Sequence, residues 1–178
     1  PIEGTYNVAD PSSILWGMRP DGDKQAPVPN FAKRTVAPLS FDISVSSGGV
    51  KAAGTTITRS FSGPEDTLRR EPVDRDGVLG TMFYPADGKA HPVVICLSGS
   101  GGGISEPRAS LIAAHGYTTL ALGYFGMESL PKELYKVPLE FFERALDMLD
   151  RHESADCSRL AVYGFSKGGE LALLLGSL

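Results

Sequence analysis

Two short apolar runs constrain this chain more than any other feature: residues 92–97 (PVVICL) and residues 159–163 (RLAVY). A strand with one wet face alternates apolar and polar residues. A run without alternation, too short for a helix and bounded by glycines, reads as a strand buried on both faces. Helices must then cover it on both sides. The pattern around these runs fits. After the first come glycines, a helix candidate at residues 106–115 stopped by Gly116, and a further strand at residues 118–122. Pro138 suits the first turn of the next helix. There Phe141, Phe142, Ala145, Leu146 and Leu149 share one face, opposite Glu140, Glu143, Arg144 and Asp147. The second buried run leads into an apolar helix at residues 168–178. Strands alternating with helices predict a doubly wound, mostly parallel sheet.

The first part of the chain has a different character. Residues 20–38 hold four prolines and read as an irregular connection. Residues 39–46 alternate as a half-buried strand, a Ser-Gly-Gly turn follows, and residues 55–61 form a second, β-branched run. Residues 78–84 are another strand candidate. Residues 1–75 are therefore expected to be a β-rich segment, and residues 76–178 an α/β domain.

Composition narrows the function classes. A net charge of −4 without a basic stripe argues against a nucleic-acid partner. No stretch approaches the length of an apolar membrane span. The two cysteines belong to no CxxC pair, so neither a disulfide framework nor a thiol metal site is implied. Cys96, inside its apolar run, reads as a reduced core residue, and an intracellular, cytoplasmic setting is the default. No metal or other cofactor is expected.

Chemistry enters after the second buried strand. Gly164-Phe165-Ser166-Lys167-Gly168 matches the nucleophile elbow G-x-S-x-G of α/β hydrolases. Small residues are needed two places either side of the serine because the strand turns sharply into a helix, with the nucleophile at the apex. Chance alone supplies roughly a quarter of such a pattern in a chain this rich in glycine and serine, so the pentapeptide is weak by itself. Its position between LAVYG and GGELALLLG is what gives it meaning. Ser166 is the candidate nucleophile, and Gly164 and Gly168 the structural glycines of the elbow.

The second motif, Ser98-Gly99-Ser100-Gly101-Gly102-Gly103, follows the first buried strand. As a dinucleotide fingerprint it fails, since the third glycine would fall at Ile104, and no G-x-x-x-x-G-K-[ST] is present. Two readings remain, a structural turn and an oxyanion hole. In the second, the N–H groups of Ser100 (Gly101 next) and of Lys167 are the expected donors. A base role for Lys167 in a Ser–Lys pair is the weaker alternative to a solvent or phosphate contact. Glu170 reads as a helix-terminus or salt-bridge residue.

A serine hydrolase of this kind needs a histidine oriented by a carboxylate, in the order Ser, Asp or Glu, His. His91, His115 and His152 all precede Ser166 and read as surface or capping residues. The sequence also stops soon after the elbow, which would leave an apolar strand edge and helix face uncovered. It is expected to be truncated after the nucleophile helix, with a missing C-terminal segment or a second polypeptide completing the domain.

Several collinear segments carry a more specific resemblance: GTYNVADPSSILWGMRP, RREPVDRDGVLGTMFYP, LSGSGGGISEPRASLIAAHGYTTLALGYFG, LPKELYKVPLEFFERAL and GFSKGGELALLL. Together they resemble the acyl-CoA thioesterase and bile acid-CoA:amino acid N-acyltransferase family, in particular its type I thioesterase branch. The resemblance implies an immunoglobulin-like sandwich followed by an α/β-hydrolase domain. GTYNVADPSSILWGMRP resembles a segment late in that sandwich. The implied reaction is hydrolysis of an acyl-CoA thioester by a Ser-Asp-His triad with Ser166 as nucleophile and the Asp and His beyond Leu178. The acyltransferase branch typically carries cysteine at that place, so serine favours hydrolysis. Acyl transfer, carboxylesterase or dienelactone-hydrolase-like activity, and a non-catalytic binding or assembly module are the alternatives.

Overall fold

The computed structural model describes residues 33–64 and 66–177. The segment GTYNVADPSSILWGMRP and most of the proline-rich connection lie outside the described residues. Apart from Lys33, everything described belongs to one compact unit, residues 34–178.

That unit opens on a hairpin. Strand β1 (Leu39–Ser47) pairs antiparallel with β2 (Val50–Arg59) across Gly48 and Gly49. Both glycines lie at positive φ (58° and 79°), as a tight two-residue hairpin turn demands. The alternation read from the sequence survives: Leu39, Phe41 and Ile43 are half-buried, with exposed residues between them.

The main sheet has five strands in the order β3-β4-β6-β5-β7. They are β3 (Leu68–Arg75), β4 (Val78–Pro85), β5 (His91–Leu97), β6 (Thr118–Gly123) and β7 (Ala155–Gly164). The last three are parallel, while β3 and β4 join antiparallel at one side. The sheet is thus mixed, and its parallel part, β6-β5-β7, includes both strands that lead into the glycine motifs. The strand at residues 68–75 was not expected from the sequence. Its charged residues and Pro72 disguise it, and an edge strand tolerates both. A boundary near residue 75 consequently falls inside the β3–β4 hairpin.

Helix α1 (Glu106–Ala113) lies on one face of the sheet; α2 (Glu140–Asp150) and α3 (Lys167–Leu175) lie on the other. Side chains of the inner strands alternate between these two covers. Val93, Ile95 and Leu97 of β5 join Leu120 and Leu122 of β6 under Phe142, Ala145, Met148 and Leu149 of α2. Val94, Cys96 and Ala121 face Ala109 and Ala113 of α1 instead. Both sets are buried, which is why these strands show no alternation in sequence. Strand β7 extends further back than the apolar run predicts. It is interrupted at Cys157–Arg159, where the partner of Pro92 is Asp156 but that of Val93 is Leu160. The Asp156 carboxylate stabilises the irregularity, accepting from the Ser158 N–H and, at 2.6 Å, from Arg159 Nε.

The chain leaves β5 through α1 on one face to reach β6, then returns through α2 on the other face to reach β7. Strand order therefore reverses at β5. In open α/β sheets a crevice forms at the carboxyl ends of the strands where this happens, and ligands bind there.

Candidate active site

Three loops meet at that crevice: residues 98–103 after β5, residues 124–131 after β6, and the turn 164–168 after β7. Backbone contacts hold them together. The buried Tyr124 hydroxyl donates to the Ser98 carbonyl at 2.6 Å, and the Gly103 N–H donates to the Phe125 carbonyl at 3.3 Å. Gly102, at φ 66°, passes so close to the middle loop that a Cβ there would meet the Phe125 carbonyl oxygen at 2.9 Å. The Gly126 N–H closes its own loop on the Pro131 carbonyl at 2.7 Å. The part played by Tyr124, Phe125 and Gly126 was not read from the sequence, although a glycine soon after a buried strand (GYFG) was the available signal.

Ser166 stands at the apex of the third loop with φ 55° and ψ −122°. A serine at positive φ is strained, and such strain persists only where surrounding structure enforces it. The enforcement is visible. The Phe165 N–H reaches back to the Leu97 carbonyl at 3.4 Å, and the Gly168 and Gly169 N–H groups turn onto the Phe165 and Ser166 carbonyls at 2.9 and 2.8 Å. Neither flanking glycine has room for a side chain: a Cβ on Gly164 would overlap the Gly168 backbone, and one on Gly168 would overlap the Ser98 carbonyl. The spacing of the pentapeptide thus has a direct steric cause. Ser166 is left exposed at the start of α3.

The glycine loop lies against this serine. A Cβ on Gly99 would sit 3.1 Å from the Ser166 Cβ and 3.0 Å from the Phe165 carbonyl oxygen. A tight turn, Gly102 N–H to Gly99 carbonyl at 3.0 Å, carries exposed Ser100 and Gly101 at its tip. Among the described residues, no hydrogen-bond acceptor engages the Ser100 or Gly101 N–H. Lys167 follows Ser166 directly and opens α3. Its ammonium is held 2.8 and 2.9 Å from the two Glu170 carboxylate oxygens, so it does not serve Ser166 as a base in this arrangement.

None of the three histidines is hydrogen-bonded to Ser166. His91 Nε2 lies 2.9 Å from Asp87, and His115 Nδ1 lies 2.8 Å from the Leu111 carbonyl. His152 is more deeply engaged than a helix-end histidine need be. Its Nε2 faces Glu71 at 3.3 Å and its Nδ1 faces the Ser154 hydroxyl at 2.9 Å. Burial pushes the Glu71 carboxyl upward, but hydrogen bonds from Arg75, His152 and Tyr84 outweigh it and hold that carboxyl below the usual glutamate range. The Cys96 thiol, buried under α1, is pushed up to about 12 by desolvation alone and is no rival nucleophile. Among the described residues, no group of three His, Cys, Asp or Glu side chains is placed to hold a metal ion.

Fold and site together define a class. A strand-order reversal, an elbow serine at positive φ and a glycine loop packed on it are the parts of an α/β-hydrolase domain. Solved structures agree on the fold: esterase Est22 superposes with a TM-score of 0.54 at 20% identity, over 65% of this chain and 40% of that one. Sequence comparison is more specific. The family model described as "BAAT / Acyl-CoA thioester hydrolase C terminal" matches residues 137–178. Acyl-coenzyme A thioesterase 6 of Homo sapiens is 36% identical across 99% of this chain and 42% of its own length. The mitochondrial acyl-coenzyme A thioesterase 2 of Homo sapiens is 35% identical across 99% of this chain and 36% of its own. Along 99% of its length the chain is similar to acyl-CoA thioesterases, and it spans less than half the length of these relatives.

Proposed function

We propose that this chain carries the nucleophile-bearing part of an acyl-CoA thioesterase. The observation that carries this reading is the backbone of Ser166, φ 55° and ψ −122°, on an elbow packed against a glycine loop. In the proposed reaction Ser166 Oγ attacks the thioester carbonyl and the CoA thiolate departs. Water then cleaves the acyl-enzyme to free acid. The N–H groups of Ser100 or Gly101 and of Lys167 receive the oxyanion, each lowering the barrier by about 3–4 kcal/mol. Gly164 and Gly168 permit the turn. Similarity to acyl-CoA thioesterases along nearly the whole chain supports acyl-CoA as the substrate. A general base and its carboxylate would come from the part of the relatives' length that this sequence does not span.

The same reading takes the β1–β2 hairpin as belonging to a β-rich, immunoglobulin-like region preceding the hydrolase domain. The two free cysteines are consistent with a reducing, intracellular setting. Acyl transfer to an amine is the alternative chemistry within the family, and a serine rather than a cysteine at position 166 favours hydrolysis.

The test is thiol release from an acyl-CoA by the intact protein, with Ser166→Ala as control and a simple p-nitrophenyl ester alongside. Thiol release lost in Ser166→Ala supports the proposal. Rapid ester cleavage without thiol release would make the protein a carboxylesterase.

A further inference from the structure

The elbow has a second neighbour besides the glycine loop. Arg108, in the first turn of α1, lays its guanidinium over the ring of Phe165, 4.2 Å from the ring centre. Phe165 is the residue before the nucleophile, and its side chain is half exposed. Stacking on an aromatic face leaves the guanidinium edge, with its N–H donors, directed away from the ring. One of these, on Nη1, is within 3.2 Å of the Ser105 hydroxyl, which helps to fix the group.

No carboxylate among the described residues neutralises Arg108. Glu106, on the same helical turn, is taken by Arg70 at 2.5 and 3.1 Å and by the Thr81 hydroxyl at 2.8 Å. Lys167, the other cation on the elbow, is neutralised by Glu170. The result is a stacked, partly buried and uncompensated guanidinium one residue away from Ser166 in its contacts. A planar fork of this kind binds oxyanions in bidentate fashion, where a lysine offers only a point charge.

We propose that Arg108 is a specificity-determining residue that binds an anionic group of the substrate, a phosphate of the thiol carrier or a carboxylate on the acyl chain. Phe165 acts as the platform that holds the guanidinium edge toward the crevice. This rests on the thioesterase reading for the identity of the substrate, while the anion site itself rests on the Arg108–Phe165 geometry.

The experiment compares wild type, Arg108→Lys and Arg108→Gln in the intact protein. Three thioesters are used: a neutral acyl chain on CoA, the same chain on N-acetylcysteamine (which has no phosphate), and an α,ω-dicarboxylyl-CoA. If the anion is a phosphate, R108Q raises KM about tenfold on both CoA thioesters and leaves the N-acetylcysteamine thioester within about twofold. If it is a carboxylate, only the dicarboxylyl-CoA suffers. In either case kcat changes little and R108K recovers part of the loss. Equal losses on all three substrates, or none on any, overturn the proposal. A wild type that cleaves none of them yet is labelled at Ser166 by a fluorophosphonate refutes the thioesterase reading instead. The anion site is then read by protection of Ser166 from labelling by CoA or glutarate. Protection weaker in R108Q supports the site, and equal protection overturns it.

Discussion

Ser166, at φ 55° and ψ −122°, holds a backbone conformation that residues with a side chain rarely adopt, and the proposed nucleophile role accounts for it. Relieving the strain should therefore stabilise the fold while abolishing chemistry. Ser166→Gly is expected to raise stability by about 1 kcal/mol, the strain of a side chain at this positive φ less the added chain entropy of glycine. Urea unfolding of the intact protein measures this; a destabilised Ser166→Gly would mean that the conformation is not strained. The flanking glycines make the opposite prediction. Gly164→Ala places a methyl group onto the Gly168 backbone, which has no side chain to move aside. It should cost at least the 1–3 kcal/mol typical of overpacking, and should abolish fluorophosphonate labelling of Ser166. At this scale the sequence was legible because the constraint is local: two glycines and a serine at fixed spacing encode one turn. The approach of Gly99 to Ser166 and the stacking of Arg108 on Phe165 join residues more than fifty positions apart, and no spacing rule announces them.

At the scale of elements, burial on both faces is what the inner strands have in common, and it left the clearest trace in the sequence. Cys96 tests it. Its thiol, pushed up to about 12, should resist alkylation near pH 8 in the folded protein, whereas the half-buried Cys157 reacts. Peptide mapping after iodoacetamide treatment reads the two separately, and prompt modification of Cys96 would argue against the burial of β5. Strand β3 was illegible for the converse reason. Of its eight residues only Val73 is buried, so neither a continuous nor an alternating apolar pattern exists. The one usable signal was Asp76-Gly77, both at positive φ, 55° and 73°, in the hairpin turn between Arg75 and Val78. What ties β3 down is polar. Glu71 accepts from Arg75 at 2.8 Å and from Tyr84 at 3.1 Å and faces His152. Its carboxyl lies below its ordinary pKa, so its contribution is present above the usual glutamate range and is lost as pH falls through the lowered value. Glu71→Gln should accordingly weaken the protein at neutral pH and flatten the acid limb of its stability profile. An unchanged acid limb would show that Glu71 is not the group responsible.

For the molecule as a whole, the described sheet has β7 at its edge, and the apolar residues beside it are open. Leu160 and Leu174 are 40% and 49% exposed and Leu173 is 80% exposed. The relatives are more than twice as long as this chain, and under the proposed function the base would lie in that remaining length. Whole-molecule function was consequently the least legible level. Composition argued against nucleic acid, the elbow indicated acyl chemistry, and only collinear segments spread along the chain pointed to a thioester. The proposed function requires Ser166 to form the covalent acyl intermediate, and trapping that intermediate tests it most directly. The intact protein is mixed with radiolabelled acyl-CoA, quenched in acid within milliseconds, digested and mapped. The label is predicted on the peptide containing Ser166 and absent in Ser166→Ala. Turnover of acyl-CoA with no label on that peptide, or with label on another residue, would contradict it.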